Sequence, residues 1–113
     1  MSNWKKAIHD NHGPPSVWPL IETGDGWRPL IEYAYEYIAK HKCLSPAQVK
    51  EKFGGLRFYV DHDYECECAA LDEWYKIEAI IEALSYKMCE TCGAYGEPNN
   101  TGWIRTRCSE HAE

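Results

Sequence analysis

No apolar run in this 113-residue chain approaches the roughly 18 residues needed to cross a bilayer. The first residues, Met1-Ser2-Asn3-Trp4-Lys5-Lys6, lead into His9, Asp10 and Asn11 instead of an apolar signal core, so a cytosolic protein with no membrane partner is expected. Basic residues are in the minority. Twelve Lys and Arg against eighteen Asp and Glu leave a formal charge of −6, which disfavours nucleic-acid binding driven by phosphate charge alone. A Gly-rich phosphate loop, a nucleophile elbow and a His-Glu-x2-His pattern are all missing, and no enzymatic activity is expected. Phe and Met are scarce, two of each, but five Trp and eight Tyr bring the chain to 44% hydrophobic and 13% aromatic. That composition excludes disorder of the whole chain and suits one domain, residues 1–113, with one modest core. Six cysteines remain to be explained. With no signal core, metal ligands or buried thiols are expected before three disulfides.

Residues 1–26 carry Gly13-Pro14-Pro15, Trp18-Pro19 and Thr23-Gly24-Asp25-Gly26, which predicts an extended arm with turns. From Trp27 the spacing of Leu30, Ile31, Ala34, Tyr35 and Ile38 predicts a helix, with Pro29 in its first turn and Lys40, His41 and Lys42 at its end. Ser45-Pro46 predicts a break. Two alternating runs follow, Val49 to Phe53 and Leu56 to Val60, joined by Gly54-Gly55. A two-residue Gly-Gly turn would pair Phe53 with Leu56 and Val49 with Val60 on an apolar face, and Lys52 with Arg57 and Lys50 with Tyr59 on a basic one.

The segment from Asp61 to Glu73 holds Asp61, Asp63, Glu65, Glu67, Asp72 and Glu73 and no Lys or Arg, so it alone accounts for the net charge. Trp74, Ile77, Ile81, Leu84 and Met88 then predict a second long helix. It runs into Cys89, and Gly96-Glu97-Pro98-Asn99-Asn100-Thr101-Gly102 predicts a turn before the run Trp103 to Arg107. The expected architecture is α+β: residues 27–88 as helix, hairpin and helix, and 89–113 as a subdomain docked on the second helix.

That last segment carries the clearest chemistry. Cys89-Glu90-Thr91-Cys92-Gly93 has the Cys-x2-Cys spacing that places two thiolates on one ion, with Gly93 relieving the tight turn. Cys108-Ser109-Glu110-His111 repeats the spacing fifteen residues later. Three Cys and one His make a closed tetrahedral set, so Cys89, Cys92, Cys108 and His111 are predicted to hold one structural Zn2+. A redox Cys-x2-Cys pair or buried thiols would not account for Cys108 and His111 at the matching spacing.

Knuckle, hairpin and Cys-x2-His together resemble a treble-clef zinc finger from Met88 to His111. Only two residues follow His111, so a last helix of one turn at most is expected. His-Asn-His nucleases use similar scaffolds but need a further His and an acidic ligand, which nothing between Cys92 and Cys108 supplies. More widely, Gly24-Asp25-Gly26-Trp27, the run Gln48 to Tyr59, Cys89-x2-Cys92-Gly93 and Gly102-Trp103-Ile104-Arg105-Thr106-x-Cys108-x2-His111 resemble a group of small uncharacterised phage and prophage proteins. The resemblance spans about four fifths of the chain and implies no established activity; it supplies a context, since phage proteins of this size often act on host machinery, here from within the bacterial cytoplasm.

Two binding surfaces compete. The acidic segment, with Asp61, Asp63, Glu65 and Glu67 foremost, could engage a host protein or complex, a defence component among them, by presenting charge as a phosphate backbone does; a solubilising loop is the plainer alternative. Lys50, Lys52, Arg57 and Tyr59, extended by Arg105 and Arg107, could instead bind nucleic acid, a Tyr stacking a base while cations meet phosphates. Cys66 and Cys68 lie among carboxylates and His62, but Cys-x-Cys reaches awkwardly round one ion, and a solvated acidic loop is expected in place of a second metal site. Cys43 is expected to be a core thiol, and His9, Asp10 and His12 to have no chemical role.

Overall fold

The computed structural model describes residues 4–12, 19–41, 43–63, 68–99 and 102–112. It is an α+β domain with two small sheets. The first element departs from the expected extended arm, since Trp4–His12 is a helix, α1. The glycines and prolines that predict an arm all lie beyond residue 12, and Trp4 and Ile8, one turn apart, are both buried. Trp4 Nε1–H donates to Asp25 Oδ1 at 2.9 Å, and Lys5 Nζ–H donates to the Thr23 carbonyl. The two contacts fasten α1 to the turn that begins the next helix.

After the two-residue strand β1 (Ile21–Glu22), a 3-10 turn at Asp25–Trp27 leads into α2 (Arg28–Ala39). The predicted face of α2 is the buried one: Trp27, Leu30, Ile31, Ala34, Tyr35 and Ile38 all face the core. Strands β2 (Leu44–Lys52) and β3 (Gly55–His62) form an antiparallel hairpin, and β1 adds to β2 in parallel through Ile21↔Val49 and Glu22↔Lys50. Ser45-Pro46 does not break the chain. Pro46 lies inside β2, where a bulge between Pro46 and Gln48 absorbs the extra residue.

The hairpin register also differs from the expected one. Lys52 pairs with Gly55, Lys50 with Arg57 and Val49 with Phe58, so the two turn residues are Phe53 and Gly54. Both have positive φ, 54° and 83°, the requirement of a type I′ turn. Gly55 is held in the strand by space. A Cβ there would stand 2.8 Å or less from the outer atoms of the Tyr86 side chain, so glycine leaves room for that ring where it lies over the strand. Phe53 therefore leaves the apolar face and projects into solvent, 63% exposed.

Helix α3 (Cys68–Ser85) packs against the hairpin with Trp74, Ile77 and Ile81. Phe58 links the layers, with its ring 5.2 Å from Tyr35 and 5.3 Å from Trp74. At the last turn of α3 the buried residue is Ser85, whereas Leu84 is 45% exposed. A step of three from Trp74 to Ile77 and then steps of four through Ile81 reach Ser85 and leave Leu84 to one side. Ser85 Oγ accepts the Leu56 N–H at 2.8 Å and donates to the Glu82 carbonyl at 2.6 Å, capping an otherwise open donor on the edge strand β3.

Cys43 is disulfide-bonded, not a core thiol, and packs half-buried against the core. Glu65, Cys66 and Glu67 lie outside the described residues, as do the side chains of His12 and Cys68. Among the described residues, no helix is long and apolar enough to cross a membrane.

Candidate metal centre

The chain leaves α3 through Lys87 and Met88 into a knuckle held by its own backbone. Cys89 N–H donates to the Ala94 carbonyl at 2.7 Å, and Gly93 N–H to the Cys89 carbonyl at 2.8 Å. Gly93 adopts φ 85°, which relieves the turn after the second ligand as its position predicts. The two-residue strands β4 (Glu97–Pro98) and β5 (Thr106–Arg107) then pair antiparallel, and Cys108–His111 closes as a single turn with the His111 N–H bonded to the Cys108 carbonyl at 3.1 Å. Glu90 N–H donates to the Thr106 carbonyl at 3.0 Å and holds the two ligand pairs together.

These elements bring the four predicted ligands to one point. Cys89 Sγ, Cys92 Sγ, Cys108 Sγ and a His111 nitrogen all lie within 4.8 Å of one another. His111 Nδ1 is 3.1 Å from Cys108 Sγ and 3.7 Å from Cys89 Sγ, and Cys92 Sγ is 3.6 Å from Cys108 Sγ. A tetrahedral ion with metal–sulfur bonds of about 2.3 Å and a metal–nitrogen bond of about 2.0 Å needs edges of about 3.5–3.8 Å. The Cys92–Cys108 and Cys89–His111 separations match these, whereas Cys108–His111 is shorter, so the group would take such an ion after a small opening of that pair. Cys89 and Cys108 are buried, His111 is half-buried and Cys92 is exposed.

The protein prepares part of this set for ligation. Burial opposes ionisation of Cys89, but N–H groups of Cys108, Cys92 and Thr91 outweigh it and bring the thiol down to about 6. Burial likewise opposes ionisation of Cys108, but the His111 and Cys92 side chains and the N–H groups of His111 and Glu110 together outweigh it and lower the thiol. The same contact with Cys108 raises the His111 imidazole. Cys92 is raised: the Ala94 backbone favours its thiolate, but burial and the neighbouring Cys108 and Cys89 oppose it. The pattern is that of anionic sulfurs crowded together, which a cation would relieve.

Four hydrogen bonds dock the knuckle and its hairpin on the rest of the fold, and none of them comes from α3. Gly24-Asp25-Gly26-Trp27 forms a cradle beneath the knuckle. Gly24 N–H donates to the Glu90 carboxylate at 3.0 Å, Gly26 N–H to the Glu90 carbonyl at 2.7 Å, and the buried Trp27 donates Nε1–H to the Met88 carbonyl at 2.8 Å. On the other side, the buried Thr106 donates its hydroxyl to the Gly54 carbonyl at 2.6 Å and ties β5 to the tip of the β2–β3 hairpin. The Gly-Asp-Gly-Trp and Cys-x2-Cys-Gly motifs, some sixty residues apart, are thus the two halves of one joint.

The other predicted site residues are spread out. Asp61 and Asp63 are exposed at the end of β3 away from the metal centre, whereas Glu65 and Glu67 fall outside the described residues. Of the basic set, Arg57 is already engaged. Its guanidinium pairs with Glu82 at 2.6 Å and donates to Tyr86 Oη at 3.1 Å, and its side chain is only 19% exposed. Tyr59 is exposed opposite Gln48, and Lys50 is half-buried beside Arg57. Lys52 and Arg105 instead sit against aromatic rings that sequence reasoning did not single out, Lys52 Nζ 5.6 Å from the Phe53 centroid and Arg105 Cζ 5.3 Å from that of Trp103. Alternating charge in Lys50-Glu51-Lys52 and Arg105-Thr106-Arg107 was visible, but nothing in the sequence joins residue 53 to residue 103.

No family model, curated protein or solved structure matches this chain.

Proposed function

We propose that this chain is a recognition protein stabilised by one structural Zn2+, which acts by binding a partner protein and performs no chemistry of its own. The observation that carries the reading is the donor set, three sulfurs and one imidazole nitrogen within 4.8 Å. Thiolate and imidazole donors in a tetrahedron suit Zn2+, and four protein ligands leave no position for water or substrate. Cys89, Cys92, Cys108 and His111 would hold the ion, which cross-links residues 89–111 and keeps them seated on the Gly26 cradle.

The proposed partner surface is the acidic end of the β2–β3 hairpin. Asp61 and Asp63 are exposed there, and Asp72 and Glu73 are exposed near the start of α3. Ser45 pairs with Asp61 at this end, whereas Lys52 pairs with Gly55 at the other, so about 20 Å of strand separate the acidic surface from the metal centre. The phage-type resemblance directs the reading to a bacterial host protein or complex with a basic groove. Affinity capture from host lysate, with and without nuclease, should retain a protein after nuclease treatment. Reversal of Asp61, Asp63, Glu65 and Glu67 to Lys should abolish its capture, and full retention by that variant would refute the surface.

A further inference from the structure

Two strongly exposed aromatic side chains stand at the joint between the hairpin tip and the metal subdomain: Trp103, 71% exposed, and Phe53, 63% exposed. Phe53 is held at φ 54°, a conformation that an aromatic residue rarely adopts and that Asn or Gly would take at lower cost. Its ring gains no burial in return. Between the two rings runs a groove of about 570 Å³, floored by Ile104 and Gly102 and edged by Lys52. Trp103 also forms one wall of a second cavity of about 310 Å³, which Arg105, Arg107, Asn99, Glu97 and the candidate ligand His111 line. One indole thus separates a largely apolar slot from a polar one in which two Arg outnumber one Glu.

The charges around these slots are available. Among the described residues, Lys52, Arg105 and Arg107 have no carboxylate within ion-pair distance. The two nearby carboxylates have other tasks: Glu51 accepts the Gly54 N–H at 2.8 Å, and Glu97 accepts the Tyr95 hydroxyl at 2.9 Å. Flat, solvated rings with a cation beside each are the elements that hold unpaired bases, the rings stacking on the base and the cations meeting the phosphates on either side. An acidic peptide would satisfy the cations and leave both rings without a flat partner.

We propose that the groove between Phe53 and Trp103, with Lys52, Arg105 and Arg107, binds a short single-stranded segment of nucleic acid. Bases stack on the two rings, and a phosphate enters the Arg105–Arg107 cavity. The site lies at the opposite end of the hairpin from the acidic surface, so it stands or falls independently of the partner-protein reading. Three cations set the electrostatic share: log K should fall with log salt at a slope of about −2, shallow for a nucleic-acid binder and consistent with an acidic chain.

The test is fluorescence anisotropy of a labelled oligothymidylate with zinc-supplemented full-length protein, run beside an abasic strand of equal length and an oligoglutamate peptide. Oligothymidylate should bind with the shallow salt slope and quench tryptophan emission, whereas the abasic strand and the peptide should bind at least about tenfold more weakly. Trp103→Ala should lower affinity about tenfold or more. Phe53→Asn should do the same while melting no lower than wild type, because Asn suits the turn and loss of binding then cannot be a folding defect. No binding of oligothymidylate at low salt, equal binding of the abasic strand or the peptide, or full affinity in both variants would overturn the proposal.

Discussion

A methyl group on Gly26 would stand 2.7 Å from Glu90 C, 2.6 Å from Gly93 N and closer still to the carbonyl oxygen of Cys89. All three are backbone atoms of the knuckle, so no side-chain rotation can make room. For carbon–oxygen and carbon–nitrogen contacts to recover ordinary separations, the knuckle must retreat by roughly 1 Å. That movement breaks or stretches the Gly26–Glu90 and Trp27–Met88 hydrogen bonds, each contributing about 1 kcal/mol, and loosens the packing over a fully buried Trp27. Gly26→Ala should therefore cost about 2–4 kcal/mol. It also displaces Cys89 and Cys92 relative to Cys108 and His111, and loss of such support typically weakens metal affinity about 10–100-fold. Thermal melting with zinc present, and competition against a graded series of chelators, measure the two effects separately. Gly102→Ala is the control: it has the same chemistry and a positive φ, but no atom lies within 4 Å of its added Cβ, so it should melt slightly lower and keep its metal affinity. A Gly26→Ala protein with wild-type melting and wild-type affinity would refute the cradle as the support of the centre.

Other perturbations test the rest of the fold. Ser85→Ala removes the acceptor of the buried Leu56 N–H and should cost about 1–3 kcal/mol, read as a lower midpoint in urea; an unchanged midpoint would show that the edge is satisfied in another way. Burial, helped by Glu82 and opposed by the Trp74 N–H, raises the Glu78 carboxyl, so the folded state holds that proton more tightly than the unfolded chain, and stability falls as pH rises through the raised value. Glu78→Gln, which can still accept from Trp74, should lose less melting temperature than wild type between about pH 4 and pH 7, and parallel curves would contradict the assignment. Cys43 should resist alkylation in the unfolded protein until a reductant is added, and its labelling without reductant would exclude the disulfide.

How legible this protein was in its sequence varied with the range of the forces involved. The buried face of α2 and the four ligands follow from spacing within single segments, where helical period and Cys-x2-Cys geometry leave few alternatives. Helix α1 was hidden because nine residues are too few to hold a helix alone and become helical only when Trp4 and Ile8 find the core and Asp25 accepts the indole N–H. The hairpin register turned on which of two adjacent glycines enters the strand, and the one that does, Gly55, lies under the side chain of Tyr86, a residue distant in sequence. Arg57 belongs to a binding surface in the sequence and to an ion pair in the fold, since nothing local announces Glu82. The Gly-Asp-Gly-Trp motif carried no visible purpose until the knuckle was seated on it. The Phe53–Trp103 groove is likewise created by the Thr106–Gly54 contact, a long-range event with no local signature.

The central claim is that one closed tetrahedral zinc site completes this fold, and the most direct measurement is the metal content of the purified protein alongside its circular dichroism. The account predicts one equivalent of zinc per chain, with Cys92→Ser losing the metal and unfolding residues 89–111. A metal-free chain that keeps the complete fold and its full thermal stability would contradict it.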